Sequence, residues 1–120
     1  MAKINKKSLG AAAGLAVAVV AASEGIRQAA YLDPVGIPTV CFGETRGVKL
    51  GQKYSRAECE AMLRGRLEEF NAGVEACVTR PLTDTRRVAF VSFAYNVGLG
   101  TFCQSSVARL HNQGSDAACC

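Results

Sequence analysis

Three polar residues in the first third of the chain have the types and spacing that acid–base chemistry requires. Glu24 and Asp33 lie nine positions apart, and Thr39 follows six positions later. A glycosidase needs one carboxyl group that protonates the leaving oxygen and one ionised carboxylate that orients a water or stabilises positive charge on the sugar carbon. Spacing alone also fits solvated turn residues, because aspartate before proline is a common turn residue.

The segment around these residues predicts a small β-rich lobe. The pattern from Glu24 to Tyr31 predicts a short helix, since Ile26, Ala29 and Ala30 recur at helical spacing. Glycines and prolines then divide the chain from Asp33 to Gly51 into turns and short extended pieces. Among these pieces, "IPTVCF" is the best candidate for a strand.

The second half of the chain predicts helices. "SRAE" at Ser55 to Glu58 has the pattern of a capping box and predicts a helix from about Arg56 to Phe70. The segment from Arg86 to Val97 is apolar on most faces, as in a helix at the centre of a domain. Ser105 or Ser106 can cap a further helix that reaches Leu110, and "SDAACC" opens one more.

The N-terminus combines a basic flank with an uncharged run of 14 residues from Leu9 to Ala22. As a helix the run reaches about 21 Å, which is short against a hydrocarbon core of about 30 Å. It fits a signal peptide cleaved after Ala22 or an uncleaved, weakly held anchor. We favour the anchor, because cleavage leaves Glu24 second in the mature chain, where a terminal residue frays. Residues 1–22 and 23–120 are therefore the predicted segments.

Charge and cysteine usage narrow the functional classes. The net charge is +4, of which Lys3, Lys6 and Lys7 supply +3, so the remainder of the chain is nearly neutral and nucleic acid is not an expected partner. The six cysteines form no Cys-x-x-Cys pair, so neither a zinc site nor any other metal is expected. Disulfides in an oxidising compartment are expected instead, with Cys41 to Cys59 as first choice because both flank the β-rich lobe. His111 is expected at the surface.

A longer motif surrounds the three polar residues. The pattern E-G-x-R-x-x-x-Y-x-D-x-x-G-x-x-T runs from Glu24 to Thr39. It resembles the catalytic segment of the phage-type lysozymes, the endolysin muramidases. "FAYNVGLGTF" is similar to that family's central helix and following turn, and "YSRAECEAML" to the first helix after its β lobe. The resemblance implies an α+β, lysozyme-like fold with a small β-rich lobe, a mainly helical lobe and an N-terminal signal-anchor helix.

The resemblance also implies an activity and residue roles. The activity is cleavage of the β-1,4 bond between N-acetylmuramic acid and N-acetylglucosamine in peptidoglycan, without a cofactor. Glu24 is then the general acid, while Asp33 and Thr39 position the attacking water. Arg27 is expected as a buried structural partner near the acid, with Tyr31 packing beside the site, and Asn96 is expected to touch the sugar. Many relatives carry histidine where Glu44 stands, and its role is open.

Some members of this family carry a signal-anchor-release segment, which residues 9–22 resemble. The implied sequence of events is export, tethering in the inner membrane, and release into the periplasm as an active monomer. Release lets the segment repack on the domain and complete the site. Because no cysteine lies between Met1 and Ala22, thiol exchange within the anchor is excluded as the trigger.

Three functions from different classes follow. The first is an active muramidase that causes host cell lysis. The second is a truncated, inactive lysozyme remnant, because the resemblance ends near Gly114 and the closing C-terminal helices of the family are expected to be missing. The third is a secreted, disulfide-held binding module, for which the match of Glu24, Asp33 and Thr39 is accidental.

Overall fold

The computed structural model describes residues 8–116. Within this range, a two-stranded antiparallel sheet follows the first α-helix, and four further α-helices follow the sheet. The fold is α+β, as predicted. The chain forms two compact units, one built from the chain up to Ala16 together with the chain from Leu67 onward, and one from Val17–Arg66. The elements in order are a 3₁₀ turn at Gly10–Ala12, α1 Ala13–Glu24, β1 Arg27–Leu32, β2 Pro38–Cys41, α2 Arg56–Cys77, α3 Asp84–Val97, α4 Leu99–Cys103 and α5 Ser106–Asn112.

In the unit Val17–Arg66, β1 is hydrogen-bonded along both edges. It pairs antiparallel with β2, with Tyr31 opposite Thr39. On its other edge Ala29 pairs with Lys53, and the Ala30 N–H donates to the Gln52 carbonyl at 2.9 Å. The predicted helix from Glu24 to Tyr31 is therefore wrong, because these two ladders hold the backbone extended from Arg27. The predicted strand in "IPTVCF" is confirmed as β2.

The same unit is closed by a disulfide and a helix cap. Cys41 and Cys59 are bonded, with their Cα atoms 5.0 Å apart, which confirms the first-choice pairing and ties β2 to the first turn of α2. At the start of α2 the Ser55 N–H donates to the Glu58 carboxylate, while the Glu58 N–H donates to the Ser55 hydroxyl. This reciprocal capping box fixes the helix start at Arg56, as predicted, although the helix continues to Cys77.

The other unit is organised around α3. Its buried side chains include Val88, Phe90, Val91 and Ala94, and Phe102 of α4 packs on Phe90 with ring centroids 5.2 Å apart. A central buried helix over Arg86 to Val97 is thus confirmed, and Thr83 caps its start by accepting the Arg86 N–H. A second disulfide joins Cys77 to Cys103.

His111 lies in the core of this unit, which makes the prediction of a surface histidine wrong. It is 1% exposed and packs edge-on against Phe90 with centroids 5.3 Å apart. Its Nδ1 lies 3.1 Å from Nη1 of Arg86, which can only donate, so Nδ1 is the acceptor. Nε2 therefore carries the proton and donates to the Arg80 carbonyl at 3.2 Å. The imidazole bridges α5 and α3.

The end of the described chain is held by the same arginines. Asp116 accepts from Arg86 at 2.9 Å and from Arg80 at 3.4 Å. The hydrogen bond from Arg86 lowers the pKa of the Asp116 carboxyl from its ordinary value. Of the helix predicted in "SDAACC", residues 117–120 lie outside the described residues.

The uncharged N-terminal run packs one side into the protein. Its buried residues recur at helical spacing and are Leu9, Ala12, Ala13, Ala16 and Val20. The Leu9 N–H donates to the Glu68 carboxylate at 3.1 Å, which holds the start of the run to α2. The opposite side of α1 exposes Leu15 and Val19. Across residues 8–116 no helix combines the length and apolarity that a membrane span needs. An anchoring role for this run remains a prediction.

Two glycines of α2 provide a matched test of helix packing. A Cβ at Gly73 lies 2.4 Å from Cδ1 of Leu99, whereas a Cβ at Gly65 meets nothing within 4 Å. We expect Gly65→Ala to raise the free energy of unfolding by about 0.5 to 1 kcal/mol through helix propensity. Gly73→Ala gains the same helix propensity but displaces Leu99. Its free energy of unfolding should therefore be about 1 to 3 kcal/mol lower than that of Gly65→Ala. Urea unfolding of both variants measures the difference, and equal stability contradicts the packing of α4 on α2.

Candidate functional site

Glu24 is the last residue of α1. The next residue, Gly25, has a φ of 71°, a left-handed conformation that glycine adopts without strain. Its N–H donates to the Ala21 carbonyl at 3.0 Å, which closes the helix end. β1 begins only two residues later, at Arg27. The exposed Glu24 is therefore held by a helix on one side and a strand on the other.

Asp33 organises the turn between the two strands. Its Oδ1 accepts the N–H groups of Val35 and Ile37, both at 2.9 Å. Its own N–H donates to the Ile37 carbonyl at 3.0 Å, and its carbonyl accepts from Gly36 at 2.9 Å. The two backbone bonds fix the turn, and the two bonds to Oδ1 fix the carboxylate relative to it. Since both side-chain bonds fall on Oδ1, Oδ2 is the oxygen that can accept from a further donor.

Thr39 lies on β2 opposite Tyr31 and is buried. Its hydroxyl donates to the Ile37 carbonyl at 2.8 Å, so the oxygen lone pairs are the groups it can offer to a water. Side chains alternate along a strand, so Asp33 follows Tyr31 on the face that Thr39 shares. The hairpin thus brings a fixed carboxylate and a fixed hydroxyl to one face.

Arg27 and Tyr31 contact each other. The Arg27 guanidinium carbon lies 4.0 Å from the centroid of the Tyr31 ring, a cation–π distance. The register steps four residues along β1, from Arg27 to Tyr31, against two along β2, from Cys41 to Thr39, and this irregularity curls the strand. Arg27 is exposed, so the expectation that it is buried is wrong.

Glu44 has a structural role that sequence reasoning left open. Its Oε1 accepts from Nε of Arg66 on α2 at 3.1 Å, and its Oε2 accepts the Arg46 N–H at 2.9 Å. Its backbone exchanges two hydrogen bonds of 2.9 Å with Val40, which closes a tight loop after β2. No fixed sequence spacing links Glu44 to Arg66, so this ion pair could not be read from the sequence.

Asn96 is exposed near the C-terminal end of α3 and belongs to the other unit. Glu24, Asp33 and Thr39 all belong to the unit Val17–Arg66. That unit contains all three proposed catalytic residues, while a contact between Asn96 and a substrate stays a prediction.

Sequence comparison decides the family. The model of the phage lysozyme family matches residues 21–120. The chain belongs to the phage lysozyme family. A SAR-endolysin of Bacteriophage PS119 is 38% identical over 98 residues, which cover 81% of this chain and 59% of that protein. A SAR-endolysin of Pseudomonas phage phiKMV is 38% identical over 112 residues, covering 92% of this chain and 69% of the relative. The chain thus spans somewhat more than half of the first of these lysozyme relatives.

Solved structures of related lysozymes share the fold. The muramidase domain of SpmX from Asticaccaulis excentricus superposes with a TM-score of 0.83 at 31% identity, covering 88% of this chain and 71% of that one. A P22 lysozyme mutant superposes with a TM-score of 0.82 at 26% identity, covering 99% of this chain and 80% of that one.

Two substitutions at Asp33 separate its backbone role from its chemical role. Asp33→Asn keeps an oxygen that can accept from Val35 and Ile37, so we expect a stable hairpin and a loss of wall-cleaving activity. Asp33→Ala removes both bonds and should lower the free energy of unfolding by about 1 to 3 kcal/mol. Urea unfolding and turbidity loss of cell walls measure the two effects. An active Asp33→Asn variant contradicts the chemical role, and an unchanged stability of Asp33→Ala contradicts the backbone role.

Proposed function

We propose that the chain is an endolysin muramidase, which hydrolyses the β-1,4 bond between N-acetylmuramic acid and N-acetylglucosamine and so lyses the bacterial host. The observation that carries the proposal is the β1–β2 hairpin, which fixes the Asp33 carboxylate and the Thr39 hydroxyl within the unit that also holds Glu24. Membership of the phage lysozyme family supports the reaction class.

Glu24 is the proposed general acid. Its protonated carboxyl group donates to the glycosidic oxygen as the bond to the sugar carbon breaks. A water held by Oδ2 of Asp33 and the Thr39 hydroxyl attacks that carbon, and Asp33 accepts a proton from the water. The two backbone donors on Oδ1 hold the carboxylate in place during this step.

Three further residues have supporting roles in the proposal. The cation–π contact of Arg27 with Tyr31 stiffens the strand that leads into Asp33, so both act as positioning residues. Asn96 is a candidate for a hydrogen bond to the sugar. Peptidoglycan is the proposed substrate, and the proposed enzyme acts as a monomer.

Residues 9–22 are the proposed anchor. Its support is the name SAR-endolysin carried by the relatives, together with an uncharged run that joins Glu24 directly. While the run lies in lipid, Glu24 stays at the headgroup boundary. Release lets Leu9, Ala12, Ala13, Ala16 and Val20 pack as they do in the described fold, and the enzyme becomes periplasmic.

The two other functions fit less well. A binding module requires the Glu24, Asp33 and Thr39 match to be accidental, and a family match that covers residues 21–120 argues against accident. An inactive remnant shares every motif with an active enzyme, so activity measurements distinguish them.

Replacement of the proposed acid tests the chemistry. Glu24→Gln keeps the size of the side chain but cannot donate in the same way, so lysis of purified cell walls should fall by about 10² to 10⁴-fold. Glu60→Gln, which alters an exposed carboxylate paired with Arg56, serves as the control and should keep full activity. A folded Glu24→Gln variant that still clears cell walls contradicts the role of Glu24 as general acid. An inactive wild-type protein favours the inactive lysozyme remnant.

Replacement of exposed residues in the anchor tests release. Ala11, Gly14 and Ala22 are exposed in the fold, so leucine there raises bilayer preference without crowding the core. The triple leucine variant should gain roughly 1 to 3 kcal/mol of bilayer preference. The released fraction should then fall by about one to two orders of magnitude in fractionated cells.

Serine at the same three positions is the matched control and should increase the released fraction. Mass spectrometry of the soluble wild-type protein should find the full, uncleaved chain. A soluble form that begins at Ser23 identifies an ordinary signal peptide and rejects the anchor, while leaving the muramidase assignment intact.

A further inference from the structure

The tip of the β1–β2 hairpin presents aliphatic side chains to solvent. Leu32 is 52%, Val35 78% and Ile37 45% exposed. We call these three residues the hairpin tip. Single exposed apolar residues are ordinary, but three within six positions concentrate exposed aliphatic side chains at the end of one hairpin, and exposed apolar surface of this kind marks interaction sites. Further along β2, Val40 and Cys41 are buried, as is Phe42 directly after it, so the exposed aliphatic side chains of the hairpin lie at its tip.

The hairpin tip is rigid. Asp33 holds the N–H groups of Val35 and Ile37, and the pairing of Leu32 with Pro38 closes the turn. The four bonds around Asp33 satisfy the polar backbone groups that a flexible loop exposes to water. The tip can therefore enter an apolar environment without leaving these groups unpaired.

Cations lie on the segment that pairs with the other edge of β1. Lys53 is opposite Ala29, and Lys49 precedes it by four residues. Both lysines are exposed, and no acidic residue occurs between Arg46 and Lys53. The only acidic side chain within the tip segment 32–38 is Asp33, whose carboxylate is engaged by the backbone. The sheet thus carries exposed aliphatic side chains at the end of the hairpin and two exposed lysines on the segment that pairs with β1.

We propose that the hairpin tip inserts into the interface of an anionic phospholipid bilayer, with Lys49 and Lys53 contacting the headgroups. The inference rests on the proposed function, since residues 9–22 bring the chain to the membrane and the tip begins ten residues after Ala22. Aliphatic side chains beside lysines fit a bilayer interface, whereas they supply no hydrogen bonds for the hydroxyls of a sugar polymer. Insertion carries Asp33 to the membrane and away from the wall.

The chain contains no tryptophan, which allows a site-specific test. Val35→Trp places the only indole at the tip, and Thr101→Trp places it at an exposed position on α4. The full-length variants are mixed with vesicles of phosphatidylethanolamine and phosphatidylglycerol, and separately with phosphatidylcholine vesicles. We expect a blue shift and quenching by brominated lipid for Val35→Trp on the anionic vesicles, and neither for Thr101→Trp.

Flotation of otherwise wild-type chains measures the contribution of each part. Val35→Ser with Ile37→Ser should reduce the bound fraction severalfold, because binding scales with the apolar area inserted. Lys49→Gln with Lys53→Gln should reduce it by about fivefold per lysine. Arg64→Gln with Arg109→Gln removes the same net charge from exposed positions on α2 and α5 and should have a smaller effect.

Three results overturn the inference. Flotation with unchanged Val35→Trp fluorescence assigns membrane binding to residues 9–22 alone. Loss of binding to purified cell walls in the Val35→Ser, Ile37→Ser variant, with vesicle binding intact, makes the tip a wall contact. If the lysine and arginine double variants lower vesicle binding equally, Lys49 and Lys53 act only through the net charge of the protein and not through contact with headgroups. None of these results concerns Glu24, so the muramidase proposal is tested separately, by the cleavage of cell walls.

Discussion

The arrangement depends on burial of one side of an apolar helix. Leu9, Ala12, Ala13 and Ala16 are small or aliphatic residues at helical spacing, and they are buried while the opposite side of α1 remains exposed. Small side chains permit close packing but contribute little transfer energy to a bilayer, which is what the proposed anchor requires of a run that must leave lipid and pack on protein. α1 continues without a break from Ala13 to Glu24, and we propose that burial of this run keeps the proposed acid at the end of an ordered helix.

From Gly25 onward, backbone hydrogen bonds take over the positioning. β1 is paired on both edges, so its end at Leu32 delivers Asp33 to a defined turn, and that turn aligns β2 with Thr39 opposite Tyr31. The Cys41–Cys59 disulfide and the Glu44–Arg66 ion pair tie the far end of β2 to α2. The proposed catalytic residues, which come from a helix end, a turn and a strand, are thus fixed by elements that leave them little freedom.

Features with strong local signals were predictable, and features set by distant contacts were not. The capping box at Ser55 and the apolar segment over Arg86 to Val97 specify their helices through short-range chemistry. The segment after Glu24 is a strand although its alanines favour a helix in isolation, because pairing with β2 and with residues 52–54 holds its backbone extended. The local sequence cannot predict burial of His111, because both ring nitrogens are satisfied by distant groups, the Arg86 guanidinium and the Arg80 carbonyl. The residues of the proposed site come from the spacing and the resemblance. Neither could predict that Oδ1 of Asp33 accepts two backbone hydrogen bonds.

The most direct measurement is the rate at which the purified chain creates new reducing ends in peptidoglycan, compared between Ala16→Leu and Gly14→Leu. Both changes add the same apolar side chain to α1, but Ala16 is buried and Gly14 is exposed. With near-UV circular dichroism showing that both variants are folded, we expect Gly14→Leu to create new ends on N-acetylmuramic acid at the wild-type rate. Misplacing the acid in Ala16→Leu should cost about 10²-fold. Equal rates for the two variants contradict the proposed dependence of Glu24 on the packing of α1. New reducing ends on N-acetylglucosamine contradict the muramidase assignment.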